Sequence, residues 1–236
     1  MSVNTKLLIG DVEPFSIVDF PDHIAAVAFL QGCPWRCPFC YNASLQSLKG
    51  ESNPMWTAEK FFKFLERRKG FLDAVVFSGG EPLIQKGLKE AAQMVKNMGY
   101  TVGLHTGGYN PKALSEVLPF IDWVGLDIKG PKAKYKAITG GFAAFNEMEK
   151  SLDLLLQSSI EFECRTTCDP RFLGAEDLFE LAAFLKNKGV RAYYLQKYRP
   201  TEFDKSTSDM DCESLITDEK LLSFLTQSFE RFEVRR

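Results

Sequence analysis

Three cysteines within eight residues are the most chemically suggestive feature of the sequence. Cys33, Cys37 and Cys40 have the spacing C-x3-C-x2-C in the segment 32–42, and three thiolates on one short loop can converge on a metal centre. A structural zinc site usually takes four protein ligands, often as two pairs, and no second pair lies nearby in the sequence. A four-iron cubane held by three cysteines would leave one iron open to a small molecule. The alternative is a buried structural trio of thiols.

A second motif, Ser78-Gly79-Gly80-Glu81-Pro82, directly follows the apolar segment 74–77. Two glycines allow a backbone to approach a ligand closely, and the carboxylate of Glu81 can accept hydrogen bonds from a cationic amine. Two glycines after a strand are often only a turn. Their position at the end of a predicted strand favours a ligand site.

The overall composition narrows the functional classes. The chain has 236 residues and a formal net charge of −2, with 29 basic and 31 acidic side chains. This balance argues against a nucleic-acid binder that depends on a large basic face. The 45% hydrophobic and 25% charged residues are typical of an ordinary globular domain.

The cysteine content and the apolar runs indicate the cellular compartment in which the protein is expected. The chain is too long and too poor in cysteine to be a small exported disulfide scaffold. Residues 1–10 lack the features of a secretory signal. The longest apolar run, 24–30, is far shorter than the roughly 20 residues that span a membrane. We therefore expect a cytoplasmic protein with neither a membrane nor a nucleic-acid partner.

The hydrophobic pattern alternates between strands and helices along the chain. The continuous apolar run at 24–30 predicts a strand buried on both faces, and five further strands are predicted at 74–77, 101–104, 123–128, 161–167 and 191–195. Amphipathic spacing and capping residues predict helices at 57–69, 85–97, 111–118, 145–156, 175–188 and 217–231.

Six strands joined by helical crossovers predict an α/β fold with a parallel sheet. A complete eight-unit barrel needs about 250 residues, so we expect an incomplete (β/α)6 TIM-like parallel barrel, with a doubly wound sheet as the alternative. We predict a single domain over 1–236. It consists of an N-terminal extension at 1–23, a barrel core at 24–198, and a C-terminal loop and helix at 199–236.

Together the two motifs resemble those of the radical S-adenosylmethionine (SAM) superfamily. The resemblance rests on the cysteine loop, with the aromatic Phe39 before Cys40, and on the later Gly-Gly-Glu-Pro. Within the superfamily, the segment 14–21 and the tripeptide Gln31-Gly32-Cys33 are similar to those of glycyl-radical-enzyme activases. The anaerobic ribonucleotide reductase activating proteins are the most similar group, and pyruvate formate-lyase activators are near relatives.

The resemblance implies a cofactor set and a reaction. Cys33, Cys37 and Cys40 would ligate a 4Fe-4S cluster whose open iron chelates SAM. Reductive cleavage of the C5′–S bond would give methionine and a 5′-deoxyadenosyl radical, which abstracts hydrogen from the substrate. The backbone around Phe39 would contact the adenine. Gly79, Gly80 and Glu81 would hold the methionine amino group.

Further candidate residues follow the predicted strands on the same rim. After 101–104 come His105 and Thr106, where pyruvate formate-lyase activators carry Asp-Thr-Asn-Gly and the acid contacts SAM; this chain has a histidine instead. Asp127 and Lys129 resemble the family's Asp-x-Lys and share one face by strand alternation. Lys129 could pair with the SAM carboxylate, and a surface salt bridge with Asp127 is the alternative.

Two later strands carry the remaining candidates. Arg165 lies inside a predicted strand, where an arginine needs a partner such as a carboxylate or a ribose. Gln196 follows the strand at 191–195, near the place where the related activators carry a ribose-contacting histidine. Cys164 and Cys168 would be about 13 Å apart in an extended strand, too far for one cluster, so we interpret them as ordinary thiols.

The sequence thus leaves three functional classes open. The first is an activase that installs a glycyl radical on a partner enzyme, anaerobic ribonucleotide reductase, and takes electrons from a flavodoxin- or ferredoxin-type donor. The second is a radical SAM enzyme that acts on a small molecule. The third is a binding module stabilised by zinc.

Overall fold

The computed structural model describes residues 6–49, 53, 55–141, 144–200 and 209–236, with the side chains of 209–212 left undescribed. Its strands are β1 (Ile9–Ser16), β2 (Ala25–Leu30), β3 (Ala74–Gly79), β4 (Thr101–Thr106), β5 (Trp123–Asp127), β6 (Glu161–Cys168), β7 (Ala192–Lys197) and β8 (Arg231–Arg235). Its helices are α1 (Ala58–Arg67), α2 (Leu88–Asn97), α3 (Pro111–Val117), α4 (Lys132–Ile138), α5 (Phe145–Leu156), α6 (Ala175–Lys188), α7 (Asp209–Ile216) and α8 (Glu219–Ser228).

All eight strands form one sheet in chain order, β1 to β8. Strands β2 to β7 are the six predicted strands, and each pairs in parallel with the next. A doubly wound sheet reverses its strand order at a switch point, and this sheet does not. The incomplete parallel barrel with a six-strand core is therefore confirmed, and the doubly wound alternative is wrong.

Two strands at the edges of the sheet were not predicted. In the segment predicted only as an extension, β1 pairs antiparallel with β2. At the other edge β8 pairs in parallel with β7, so the helix predicted to continue through Arg231 is wrong at its end. Helix α8 stops at Ser228 because Phe229 turns to an extended conformation and packs its ring against Tyr193, with centroids 5.1 Å apart.

Helices α4 and α7 were also missed. Helix α4 has seven residues and buries only Tyr135 and Ile138, so its apolar pattern is too short to stand out. Helix α7 lies in a polar stretch that the sequence predicts as loop. Thr57 caps the start of α1, since its hydroxyl accepts a hydrogen bond from the Lys60 amide.

A small apolar cluster fills the inside of the barrel near the first residues of its strands. It contains Phe20, Ala25, Val27, Ala74, Val76 and Trp123. The ring of Phe20, from the segment between β1 and β2, stacks on Trp123 at 5.2 Å. Because this end of the barrel is filled, the interior volume available to a ligand lies toward the other end, where the parallel strands finish.

Across the described ranges, the helices are too short or too polar to cross a lipid bilayer.

The edge strand β8 is tied to the sheet by a charge pair. The guanidinium of Arg235 donates two hydrogen bonds, of 2.5 and 2.8 Å, to the carboxylate of Glu163 on β6. Glu163 is only 3% exposed, and Arg235 also lies over the ring of Tyr194 on the intervening strand. Glu163 would therefore be a buried, unpaired anion if Arg235 were removed.

We predict that Arg235→Ala lowers the free energy of unfolding by about 3 kcal/mol, because it leaves a buried charge without its partner. The matched control is Arg231→Ala, which removes the exposed pair of Arg231 with Glu161 and should cost at most about 1 kcal/mol. Chemical denaturation of both variants measures the difference. Equal costs would show that β8 does not depend on the buried pair.

Candidate functional site

A cavity of about 780 Å³ opens at the carboxyl ends of the parallel strands. All thirteen predicted site residues line it: Cys33, Cys37, Phe39, Cys40, Gly79, Gly80, Glu81, His105, Thr106, Asp127, Lys129, Arg165 and Gln196. They come from the loop after β2 and from the ends of β3 to β7. The structure thus brings the whole predicted set to one place, while the function of each residue stays a prediction.

The cysteine loop is folded around the side chain of Arg36. Its guanidinium donates hydrogen bonds of 2.7 Å to the carbonyl oxygens of both Cys33 and Trp35. The amide of Arg36 donates to the carbonyl of Thr139, just after α4, at 3.0 Å. A Cβ atom on Gly140 would lie 2.6 Å from that of Arg36, so the loop and the end of α4 are in close contact.

The thiols of the loop are held in a buried environment. Burial raises the pKa of Cys33 to about 12 and also raises the pKa of Cys37, while the nearby ammonium of Lys129 opposes both shifts. Metal ligation requires thiolates, so binding of a metal or cluster would release protons here.

The donor set fits a cluster better than a single ion. Among the described residues, no three His, Cys, Asp or Glu side chains converge as one ion requires. An iron–sulfur cubane offers a different iron to each cysteine, so it needs only three thiols around a common space. Within the described part of the chain, two buried donors, the indole N–H of Trp35 and the hydroxyl of Tyr135, have no hydrogen-bond partner. Sulfur atoms of a cluster are acceptors that such donors could serve.

The glycines of the second motif are required by a close approach within the chain itself. A Cβ atom on Gly79, where φ is +107°, would lie 2.2 Å from the Leu30 nitrogen. One on Gly80 would lie 2.1 Å from the Gly32 oxygen. Sequence reasoning attributed both glycines to a ligand. The structure shows that contact with the end of β2 already demands them, and they line the cavity as well.

Glu81 forms its hydrogen bonds within the protein. It is 2% exposed, and its Oε1 accepts from the hydroxyl of Thr106 at 2.5 Å and from the Leu83 amide at 3.0 Å. Its Oε2 accepts from the Gly107 amide at 2.9 Å. The carboxylate therefore joins the loop after β3 to the loop after β4. A contact with an amine, as predicted, would have to compete with these bonds.

One carboxylate is held between two cations on the cavity wall. Asp127 accepts hydrogen bonds from Nε of Arg165 at 2.9 Å and from Nζ of Lys129 at 3.1 Å. Burial would raise the pKa of Asp127, but the two cations outweigh it and hold that pKa far below its usual range. Asp127 and Lys129 share one face as predicted, and their pair lies inside the cavity. The trio carries an excess positive charge that suits an anionic group.

His105 is held as a neutral ring beside this trio. Its Nε2 lies 2.8 Å from the carbonyl oxygen of Asp19, to which it can donate, and 3.3 Å from Nη1 of Arg165. Burial and the Arg165 charge lower the pKa of His105 to about 3. Asp19 also lines the cavity, and sequence reasoning missed it because its segment carried no site prediction of its own.

The remaining wall joins β7 to the cysteine loop. The ring of Phe39 packs edge-on against Phe172 and Tyr198, with centroid distances of 6.3 and 6.4 Å. The amide of Arg199, after β7, donates a 2.8 Å hydrogen bond to the hydroxyl of Tyr41. Gln196 lies in β7 on the same rim. These contacts place the segment after β7 at the entrance of the cavity.

Several basic residues at the cavity were not predicted. They are Lys197, Arg199, Arg235 and Arg236. The sequence carries no signal for them, because the strand that brings the last two to the cavity was itself missed.

The other cysteines lie apart from the loop. Cys164 and Cys168 are both in β6, fully buried, and neither lines the cavity. Neither forms a disulfide, which agrees with their interpretation as ordinary thiols. The side chain of Cys212 lies outside the described residues.

Comparison with known protein families supports the resemblance of this chain to the radical SAM superfamily. The family model of the radical SAM superfamily matches residues 27–185. A Methanocaldococcus jannaschii protein classed with the glycyl-radical enzyme activating enzymes is 32% identical over 204 residues, covering 84% of this chain and 82% of its own. A pyruvate formate-lyase-activating enzyme of Clostridium pasteurianum is 30% identical over 239 residues, covering 94% of this chain and 98% of its own.

Solved structures show the same fold at low sequence identity. Streptococcus suis SuiB bound to S-adenosylmethionine superposes with a TM-score of 0.66 at 16% identity, over 87% of this chain; the chain spans about half of SuiB, 48%. A domain of a Bacteroides vulgatus pyruvate-formate lyase-activating enzyme superposes with a TM-score of 0.55 at 14% identity, over 69% of this chain and 99% of that domain.

We predict that His105 makes stability depend on pH below neutrality. Its pKa is about 3 in the folded state against 6.5 for an ordinary histidine, so between these values the unfolded state binds the extra proton. Stability is complete above pH 6.5 and falls below it, by up to about 1.4 kcal/mol per pH unit from this residue. Denaturation of the wild type and His105→Gln between pH 8 and pH 5 should show a shallower decline in the variant. Parallel declines would contradict the buried neutral ring.

Proposed function

We propose that this chain, which belongs to the radical SAM superfamily, is an enzyme that activates a glycyl radical enzyme, with anaerobic ribonucleotide reductase as its partner. The observation that carries the proposal is one cavity lined both by the three motif cysteines and by the Asp127, Lys129 and Arg165 charges. The related activating enzymes, similar over most of this chain, support an activase rather than another radical SAM activity.

Different residues of the cavity would hold the cluster and SAM. Cys33, Cys37 and Cys40 would ligate a 4Fe-4S cluster, which supplies the electron that breaks the C5′–S bond of SAM. The excess positive charge beside Asp127, on Lys129 and Arg165, suits the methionine carboxylate.

The loops around these charges would hold the rest of SAM. The methionine amino group would lie against the segment of Gly79, Gly80 and Glu81, together with Thr106. The backbone near Phe39 would contact the adenine. On the far wall, Gln196 would face the ribose.

The substrate side of the proposal concerns a macromolecule. The segment 14–21 resembles that of the ribonucleotide reductase activators, and its Asp19 reaches the cavity wall. A flavodoxin- or ferredoxin-type protein would supply the electron, and the reaction would take place in the cytoplasm. His105 would stay neutral and orient Asp19 and Arg165, because its ring contacts both.

We predict that replacing Cys33, Cys37 or Cys40 singly with Ala abolishes cluster binding and SAM cleavage, because three thiolates are the full ligand set. The measurement is iron and sulfide content after anaerobic reconstitution, followed by 5′-deoxyadenosine formation with SAM and dithionite. Cys164→Ala is the matched control, since that thiol is buried in β6 away from the cavity, and it should retain iron. Full activity in any of the three loop variants would refute the assignment.

We predict that an anaerobic ribonucleotide reductase stimulates SAM cleavage by this chain and acquires a glycyl radical. Electron paramagnetic resonance of the mixture after reduction detects the radical. The control reductase carries Ala at its radical glycine and should give no such signal. A radical on a different glycyl radical enzyme, with none on the reductase, would overturn the choice of partner. Stimulation by small metabolites alone would favour the second functional class.

A further inference from the structure

The hydroxyl of Tyr135 is a buried donor without an acceptor. Tyr135 lies on α4 and is fully buried, and its hydroxyl has no hydrogen-bond partner among the described residues. Buried polar groups are nearly always paired, so an orphaned one calls for an explanation. Burial raises the pKa of this phenol, which therefore keeps its proton and remains a donor.

The contacts of α4 place Tyr135 against the cysteine loop. Tyr135 and Thr139 are four residues apart, so they share one side of the helical turn. The carbonyl of Thr139 accepts the amide of Arg36, which stands directly before Cys37. The ring of Tyr135 packs edge-on against Trp35, with centroids 6.3 Å apart.

Trp35 is held firmly between this tyrosine and the next loop. A Cβ atom on Gly107 would lie 2.0 Å from Cζ3 of Trp35, so the indole fills the space over that glycine. The ring of Tyr109 also packs edge-on against it at 6.1 Å. Tyr135 therefore has a rigid neighbour and little room to turn its hydroxyl elsewhere.

Three acidic side chains lie around the Tyr135 hydroxyl, and two of them already accept hydrogen bonds from other donors. Cys37, Asp127 and Glu81 act electrostatically on its hydroxyl, in that order of strength. The oxygens of Asp127 accept from Arg165 and Lys129, and those of Glu81 accept from Thr106, Leu83 and Gly107. The backbone N–H of Lys129 also acts on the phenol oxygen, but it is a donor and cannot take the proton. Of the three groups, the sulfur of Cys37 is left as the acceptor for the Tyr135 proton.

We propose that the Tyr135 hydroxyl donates a hydrogen bond to the sulfur atoms of the cluster site at Cys37, and that it raises the reduction potential of the bound cluster. The proposal rests on the cluster assigned under the proposed function. Reduction adds negative charge to the sulfurs, so a donor to sulfur stabilises the reduced state more than the oxidised one. In this proposal Tyr135 contacts the cluster but touches neither SAM nor the substrate.

The test is the midpoint potential of the cluster in Tyr135→Phe, measured by an anaerobic redox titration without SAM. We expect the variant to bind the same amount of iron as the wild type and to have a more negative potential. The matched control is Tyr100→Phe, which removes another buried tyrosine hydroxyl, one that donates to the Leu65 carbonyl at 2.7 Å. Its potential should equal that of the wild type. An unchanged potential in Tyr135→Phe would overturn the proposal.

Stability of the cluster-free protein gives a second readout that a merely structural tyrosine would not reproduce. Because the proton of the Tyr135 hydroxyl has no acceptor among the described residues, Tyr135→Phe should lower the unfolding midpoint of the cluster-free protein less than Tyr100→Phe does. Tyr100→Phe should unfold at a lower denaturant concentration than the wild type, because it removes the buried hydrogen bond from Tyr100 to the Leu65 carbonyl. A loss of stability in cluster-free Tyr135→Phe as large as that in Tyr100→Phe would show that the hydroxyl donates to an acceptor within the protein and would overturn the proposal.

Iron uptake distinguishes a wrong cluster assignment from a wrong role of Tyr135. If the wild type takes up no iron or sulfide, the proposed function fails and this proposal with it. If a cluster assembles and SAM is cleaved while the potential does not depend on Tyr135, only this proposal fails.

Discussion

The close contact between two backbone segments, 30–32 and 79–81, is the constraint on which the site depends. The Gly80 amide donates to the Leu30 carbonyl at 2.8 Å, and the Glu81 amide donates to the Gly32 carbonyl at 2.9 Å. A side chain on residue 79 or 80 would collide with the backbone of 30–32, which is why both positions are glycine. The contact fixes where the cysteine loop leaves the sheet. It also directs the carboxylate of Glu81 to the next loop.

Positive charge exceeds negative charge in the group formed by Asp127, Lys129 and Arg165 on the cavity wall. A single carboxylate, Asp127, is shared by Arg165 and Lys129, and His105 contributes no charge because burial and Arg165 keep it neutral. Removing charged groups from water is costly unless they are paired, so an excess cation in a buried wall is an arrangement that an anionic ligand completes. One of these cations, Lys129, also acts on the thiols of Cys33 and Cys37, whose burial otherwise opposes ionisation.

Much of the fold and the location of the site could be predicted from the sequence. β2 carries a continuous apolar run because both of its faces are buried, and the alternation of further strands with helices predicted the number and parallel order of β2 to β7. The cysteine spacing and the Gly-Gly-Glu-Pro motif placed two loops at the ends of strands, and parallel strands end on the same rim. That geometry is why residues as distant in sequence as Cys33 and Gln196 were predicted to share one site.

Tertiary structure alone decided the partners of those residues. Edge strands such as β8 bury only part of one face and leave a weak pattern, so Arg235 could not be placed beside Glu163 in advance. Whether Glu81 accepts hydrogen bonds from Thr106 and Gly107 depends on the distance between two loops, which no local pattern encodes. Nor does the sequence show that Tyr135, on a short unpredicted helix, lies against the cysteine loop with an unpaired hydroxyl. The residue types determine which chemistry is available, whereas packing determines which of their atoms remain free for it.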